Sequence, residues 1–246
     1  MTRPLFARLA LLLTLLLAAC GGDEAPTPTT AVGAPPEPTP TPTEIMARAG
    51  EAMNAVQSAR FTMTRSGGPA FLDDARVLNF SSAEGVYQAP AAIDAVLSVS
   101  TSGAAIQINT IAIGDDQWIT NPVNQRWEQL PPDWGFNPAI LFDEALGWKP
   151  LLQEDITDAT LLETSTFGGV TRYRLQATAS GPRVSTITGG VAADQTVTLE
   201  VLVDPQTFLI VQLSFETISS TGEPSEWLLK FSEFGEPVAI EPPPTG

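Results

Sequence analysis

The stretch Thr196-Val-Thr-Leu-Glu-Val-Leu-Val-Asp-Pro-Gln-Thr-Phe-Leu-Ile-Val-Gln-Leu-Ser-Phe-Glu-Thr-Ile218 decides the fold. Two apolar runs, Thr196–Val203 and Phe208–Ile218, flank Asp204-Pro205-Gln206-Thr207. Proline presets its own φ for a tight turn, so the stretch reads as an antiparallel hairpin. Its second arm, Phe208-Leu-Ile-Val-Gln-Leu-Ser-Phe215, is apolar on both faces, unlike a strand with one wet face. Trp227-Leu-Leu-Lys-Phe231 behaves similarly. Both faces of the sheet therefore meet something apolar: a helix, another layer or a ligand.

Working outward, the second half continues as strands over Ala159–Ser165, Val170–Ala179 and Ser225–Phe234. Towards the N-terminus, Arg60-Phe-Thr-Met-Thr-Arg65 alternates with period two, and strands follow over Ala75–Phe80, Glu84–Tyr87 and Ala92–Thr101. Turns at Ser102-Gly103 and Gly114–Gln117 lead into Ala105–Ile113 and Trp118–Thr120. Thr110-Ile111-Ala112-Ile113 resembles a bulge that turns the strand over after Ile106 and Ile108.

Thr43 is placed to cap a helix carrying Ile45, Ala49, Met53 and Val56 and ending near Ser58. Asn137-Pro138 opens a second helical region with Gly147 as its stop, and Leu151 and Leu152 follow a break at Pro150. Gly181–Gly190 reads as a helical turn or a loop. The fold class is α+β: a large, mainly antiparallel sheet of ~10 strands with an N-terminal helix and a helical insert.

The other end of the chain carries an address. Arg3 and Arg8 precede an apolar run from Leu9 to Ala19, closed by Leu17-Ala-Ala-Cys20. Charged start, short apolar run and small-residue cleavage site are the parts of a secretory signal peptide, and a bilayer span needs ~20 apolar residues. Leu-Ala-Ala-Cys resembles the bacterial lipobox, so Cys20, the only cysteine among 246 residues, is expected to carry lipid on its sulfur. The expected organisation is a signal peptide over 1–19, an acylated Cys20 with a Pro/Thr-rich tether over 20–43, one domain over 44–242 and a frayed tail over 243–246. Such a tether is too polar and proline-rich to bury a core. The expected location is the extracytoplasmic face of the cell membrane, held by acyl chains.

Composition removes whole classes of chemistry. Loss of Arg3 and Arg8 would leave 10 of the 12 basic residues against 28 acidic ones, and the pI is ≈ 4.2. Nucleic acid and anionic headgroups repel such a protein. There is no histidine, hence no imidazole base, ligand or serine activator. With Cys20 committed to lipid, familiar thiol, zinc and iron–sulfur sites are excluded, and no nucleophile elbow or phosphate-binding loop appears. No cofactor, metal or catalytic residue is expected. Asp115-Asp116 reads as a solvated turn rather than a cation site, and Asp143-Glu144 and Glu154-Asp155 as a solvated face rather than paired acids. Trp118, Trp127, Trp134 and Trp148 cluster in sequence around the insert and suit packing, sugar stacking or cover for a lipid.

These features together resemble the LppX/LprAFG family of bacterial envelope lipoproteins. The residues concerned are the lipobox, the helix into Met53-Asn-Ala-Val-Gln-Ser-Ala-Arg-Phe61, Ala83-Glu-Gly-Val86, Ala112-Ile-Gly-Asp-Asp-Gln-Trp118 and the insert ending at Gly147. Phe167-Gly-Gly-Val-Thr-Arg-Tyr-Arg-Leu175, the strand before Asp204 and Ser232-Glu-Phe-Gly-Glu-Pro-Val-Ala-Ile240 complete the series. The resemblance implies a strongly curved, LolA-like half-barrel whose concave side is plugged by helices. It also implies non-catalytic binding and carriage of a lipid or lipoglycan, with a membrane transporter as a further candidate partner. A sensor or assembly module built on the same fold is the alternative.

In a half-barrel, alternate positions of facing strands line the concave side. The expected cavity residues are Leu97, Val99, Ile106, Ile108, Tyr173, Leu175, Val201 and Leu213, closed by Ile140, Leu141 and Leu146 of the insert.

Overall fold

The computed structural model describes residues 39–73, 75–131, 137–167, 169–192 and 194–244. Cys20, the signal peptide, most of the tether and Trp134 lie outside them. The fold begins with α1 (Pro42–Asn54), and its cap is Thr41, two residues earlier than the sequence reading places it. The Thr41 side chain accepts from Glu44 N while the Glu44 carboxylate accepts from Thr41 N at 2.7 Å, a reciprocal capping box. Pro42 fits the first turn, where its missing N–H is not needed.

Eleven strands form one antiparallel sheet: β1 (Ser58–Gly67), β2 (Asn79–Gln88), β3 (Ala92–Thr101), β4 (Ala104–Ile113), β5 (Asp116–Thr120), β6 (Trp127–Gln129), β7 (Ile156–Phe167), β8 (Val170–Ala179), β9 (Val197–Val203), β10 (Ile210–Ile218) and β11 (Pro224–Ser232). Their spatial order is β6-β5-β4-β3-β2-β1-β11-β10-β9-β8-β7. Each half of the chain is thus a meander, and the first and last strands meet in the middle. The sheet is open and curved, and helices are a minority, as expected.

Local chemistry explains where the elements depart from expectation. The strand expected from Ala75 starts only at Asn79, because the Asp73 carboxylate takes the amides of Val77 and Leu78 and holds the preceding residues in a loop. The insert is two short pieces rather than one helix: a 3-10 turn, Pro138–Phe142, and α2 (Trp148–Gln153). Asn137 does cap the first piece, accepting from Ala139 N at 2.9 Å. Gly147 is not its stop but the residue before α2, where a Cβ would collide with the Leu141 carbonyl. Pro150 sits inside the first turn of α2 and breaks nothing. Gly181–Ile187 forms α3.

No bulge interrupts β4, since β3 and β4 stay in register from Ala92↔Ile113 to Thr101↔Ala104. Pairing shifts instead in β2, β7 and β10, and the shift in β10, between Ile210 and Gln212, lets Ile210 and Leu213 both point inward at 0% exposure. That resolves the two-sided apolarity of this strand.

The core lies between the helices and one face of the sheet. Ile45, Met46, Ala49 and Met53 of α1 join Trp148, Leu151 and Leu152 of α2, Val184 and Ile187 of α3, and the inward residues of β8–β11. Burying each large side chain is worth roughly 1.5–3 kcal/mol before entropy is counted. Trp227 stands between Phe80 and Phe215, at 5.9 and 6.0 Å between ring centroids, and its indole N–H donates to the Thr217 hydroxyl at 2.9 Å. Arg65 closes that end of the core. Its guanidinium donates to the carbonyls of Phe80, Gly67 and Gly68.

Candidate functional site

Register places the expected strand residues on one face. Leu97 pairs with Ile108 and Val99 with Ile106, while Leu175 and Leu213 both pair with Val201 and Tyr173 pairs with Val203. All belong to the helix-covered face, but their surroundings differ. Leu175, Val201 and Leu213 are fully buried in the packed core, with Val99 and Ile108 nearly so. Leu97, Ile106 and Tyr173 are only partly buried. Leu141 is partly buried against the core, Ile140 is half-buried, and Leu146 is 43% exposed. The face is filled over most of β8–β11, Tyr173 and Phe231 aside, and is less covered over β3 and β4 at Leu97 and Ile106, which lie among the buried Ala95, Val99, Ile108 and Ala112.

On the β2–β4 side, small residues form the floor. Gly85 lies opposite Phe61 and Ala95, and Ala95 lies opposite Thr110. Ala83 and Ala112 flank this row on the same face. One register step away stands Tyr87, between Ala59 and Ile93 and only 4% exposed. Phe142, from the 3-10 turn, stacks on its ring at 4.2 Å and 13°. The Tyr87 hydroxyl is buried without a hydrogen-bond partner among the described residues, and burial raises its pKa well above the ordinary phenol value.

The segment carrying Phe142 is tethered on both sides. Asn137 Nδ2 donates to Asp115 Oδ1 at 2.7 Å, and Arg183 Nη1 donates to the Ala145 carbonyl at 2.7 Å. Arg183 Nε also holds Asp155 at 2.6 Å, tying α3 to the start of β7. Asp115 and Asp116 therefore serve structure: the first accepts from Asn137 and the second from Gln129. Among the described residues no group of acids has the arrangement of a metal site.

Among the described residues the tryptophans named from the sequence divide between two faces, with Trp127 on the same face as Trp118. Trp148 is buried in the core, edge-on to Phe231, whereas Trp118 pairs with Ile111 on the opposite face of the sheet. At the hairpin, the Asp204 carboxylate accepts from the amides of Gln206 and Thr207 and from Arg172 at 2.9 Å. Burial pushes its pKa up, but these donors outweigh it and hold the group below the usual carboxylate value. Phe208 then adopts φ 59°, and the Arg48 guanidinium of α1 lies 3.5 Å from its ring centre.

Two cavities lie elsewhere. One, about 530 Å³, crosses the outer face of β8–β11 and β1 and is lined by Thr198, Glu200, Ser214, Glu216 and Glu226. The other, about 310 Å³, lies at one end of the sheet among Phe71, Arg76, Thr217 and Ser219. Sequence reasoning misses Tyr87 and Phe142. The first reads only as strand, and the second directly continues the apolar pair Ile140-Leu141.

The LppX_LprAFG lipoprotein family model matches residues 41–240. The chain belongs to that family. Among solved structures, LprF from Mycobacterium bovis is 14% identical, with a TM-score of 0.64, covering 85% of this chain and 99% of its own. The lipoprotein LppX from Mycobacterium tuberculosis is also 14% identical, with a TM-score of 0.56 and coverages of 81% and 98%. At this identity the likeness to LprF and LppX establishes a shared fold. No curated protein matches the chain.

Proposed function

We propose that this lipoprotein-family member is a non-catalytic binder that takes a lipid or lipoglycan on its helix-covered face and carries or presents it at the cell envelope. The observation that carries this reading is the less covered part of that face, where Leu97 and Ile106 stay partly exposed beside the buried Val99 and Ile108. Partly exposed apolar side chains on a concave face suit an apolar ligand. The reading includes cleavage before Cys20, acylation of its sulfur and a tether reaching to the cap of α1. Two or more acyl chains give stable anchoring where one does not. A transporter in the membrane is the proposed onward partner.

The filled part, with Leu175, Val201 and Leu213 at 0% exposure, favours the second reading, a sensor or assembly module without cargo. Solvent extraction distinguishes the two. Acyl groups on Cys20 stay with the protein, so lipid recovered in the organic phase from the purified full-length chain is cargo. Mass spectrometry of that phase at stoichiometric yield supports carriage, and a clean phase from protein made in its native envelope supports the alternative. Cys20→Ala tests the anchor: a cleaved protein that still sediments with membranes contradicts acylation at this residue.

A further inference from the structure

We infer that the Tyr87 hydroxyl is the hydrogen-bond donor for a bound acyl ester, whose chain occupies the small-residue trough once the Pro138–Phe142 turn is displaced. Two independent features meet here. Gly85, Ala95 and Thr110 make a row of small side chains across β2, β3 and β4, in which β3 packs so closely on Gly85 that a Cβ there would collide with the Asp94 carbonyl and Ala95. Beside it lies a buried phenol with no partner among the described residues. An unpaired buried hydroxyl costs free energy that an apolar side chain of the same shape avoids. A phenylalanine would pack as well against Ala59, Ile93 and Phe142, so packing does not account for the oxygen.

The chemistry of the surroundings selects the ligand. Tyr87 stays protonated and so donates. The strand neighbours of Tyr87 on this face, Ala59 and Ile93, are uncharged, and Arg60 next to Ala59 pairs with Val86 on the opposite face, so none of these neighbours neutralises a phosphate or carboxylate. A neutral ester carbonyl is the acceptor that fits, and the apolar half-exposed strip of Leu97 and Ile106 continues the path for its chain. Phe142 stacks on the ring in the free protein. The turn is tied at Asn137–Asp115 on one side and Arg183–Ala145 on the other, so a local lift of Phe142 would leave the segment attached at both ends.

This inference rests on the carrier reading, and the experiment separates the two. The full-length chain, in a fixed concentration of non-ionic detergent, is titrated with a fluorescent diacylglycerol and with its diether analogue, which lacks the carbonyls. Tyr87→Phe is expected to weaken ester binding about two- to tenfold, the range of one net hydrogen bond, and to leave ether binding unchanged. Its melting temperature is expected to equal or exceed the parent's. Phe142→Ala is expected to speed probe association. Equal ester affinity in parent and Tyr87→Phe overturns the role of Tyr87 alone. A fall in melting temperature on Tyr87→Phe does the same, because it shows the hydroxyl already has a partner in the free protein. Failure of the parent to bind either probe refutes the carrier reading itself.

Discussion

Tryptophan placed at two points of the helix-covered face tests whether that face is filled on one side and open on the other. Val201 is fully buried and sits in the core between Leu175 and Leu213, its neighbours on β8 and β10. Val201→Trp forces an indole into close-packed space, which costs ~1–3 kcal/mol through displaced neighbours. For a domain of this size 1 kcal/mol lowers the melting temperature by about 2–4 °C, so a fall of roughly 2–12 °C is expected. Leu97 is on the same face but only partly buried. Leu97→Trp adds its bulk towards the less covered side and is expected to change stability by less than about 0.5 kcal/mol, under ~2 °C. Calorimetric melts of both variants, paired with extracted lipid per protein, read the two effects together. The reasoning requires Leu97→Trp to spare stability and reduce cargo. If Leu97→Trp is as destabilising as Val201→Trp, the β3–β4 side is closed in the folded protein and the binding face is misplaced.

Other expectations follow from single contacts. Thr41→Ala removes the side-chain half of the capping box, leaving the backbone N–H of residue 41 on Glu44, and is expected to cost ~1 kcal/mol in a denaturant titration, whereas removing residues 21–38 is expected to leave the midpoint unchanged. Arg65→Lys is expected to destabilise nearly as much as Arg65→Met, because one ammonium cannot reproduce a fork that serves three carbonyls, and equal midpoints for Lys and the parent would contradict this. Asp204 has a folded pKa below its unfolded value of ~3.9, so its contribution is complete above that pH and is lost as pH falls through the folded value. Accordingly, the stability gap between the parent and Asp204→Asn should be constant from about pH 5 to 7 and close below about pH 4. A gap that does not narrow at all as pH falls below about 4 would show that the carboxylate's charge is not the cause.

The strands are legible in the sequence because alternation and turns are local. Val203–Phe208 announces its hairpin in six residues, and Val170–Ala179 is bounded to the residue. The insert is not, because its shape depends on contacts that periodicity does not encode. Asp143 accepts the amide of Ala145, and Gly147 approaches the Leu141 carbonyl too closely for a side chain. The bulge expected in β4 lies in β10 for a related reason. Apolar residues on both faces of β4 and of β10 look alike in sequence, but of these two strands only β10 shifts its pairing. Which residues share the inner face is legible. Their unequal cover is not, since it depends on where α1, α2 and the 3-10 turn settle.

The meeting of β1 and β11 at the centre of the sheet has a consequence for assembly. Arg60 pairs with Ser232 and Gly67 with Ser225, so the central seam joins the two ends of the domain. Closing so long a loop must be offset by contacts that form only when the last strand arrives. Until then β1 presents an unpaired edge, and the two meanders cannot share a core. A chain that emerges from its N-terminus therefore cannot close its sheet until β11 arrives, so the fold is completed only by its last strand.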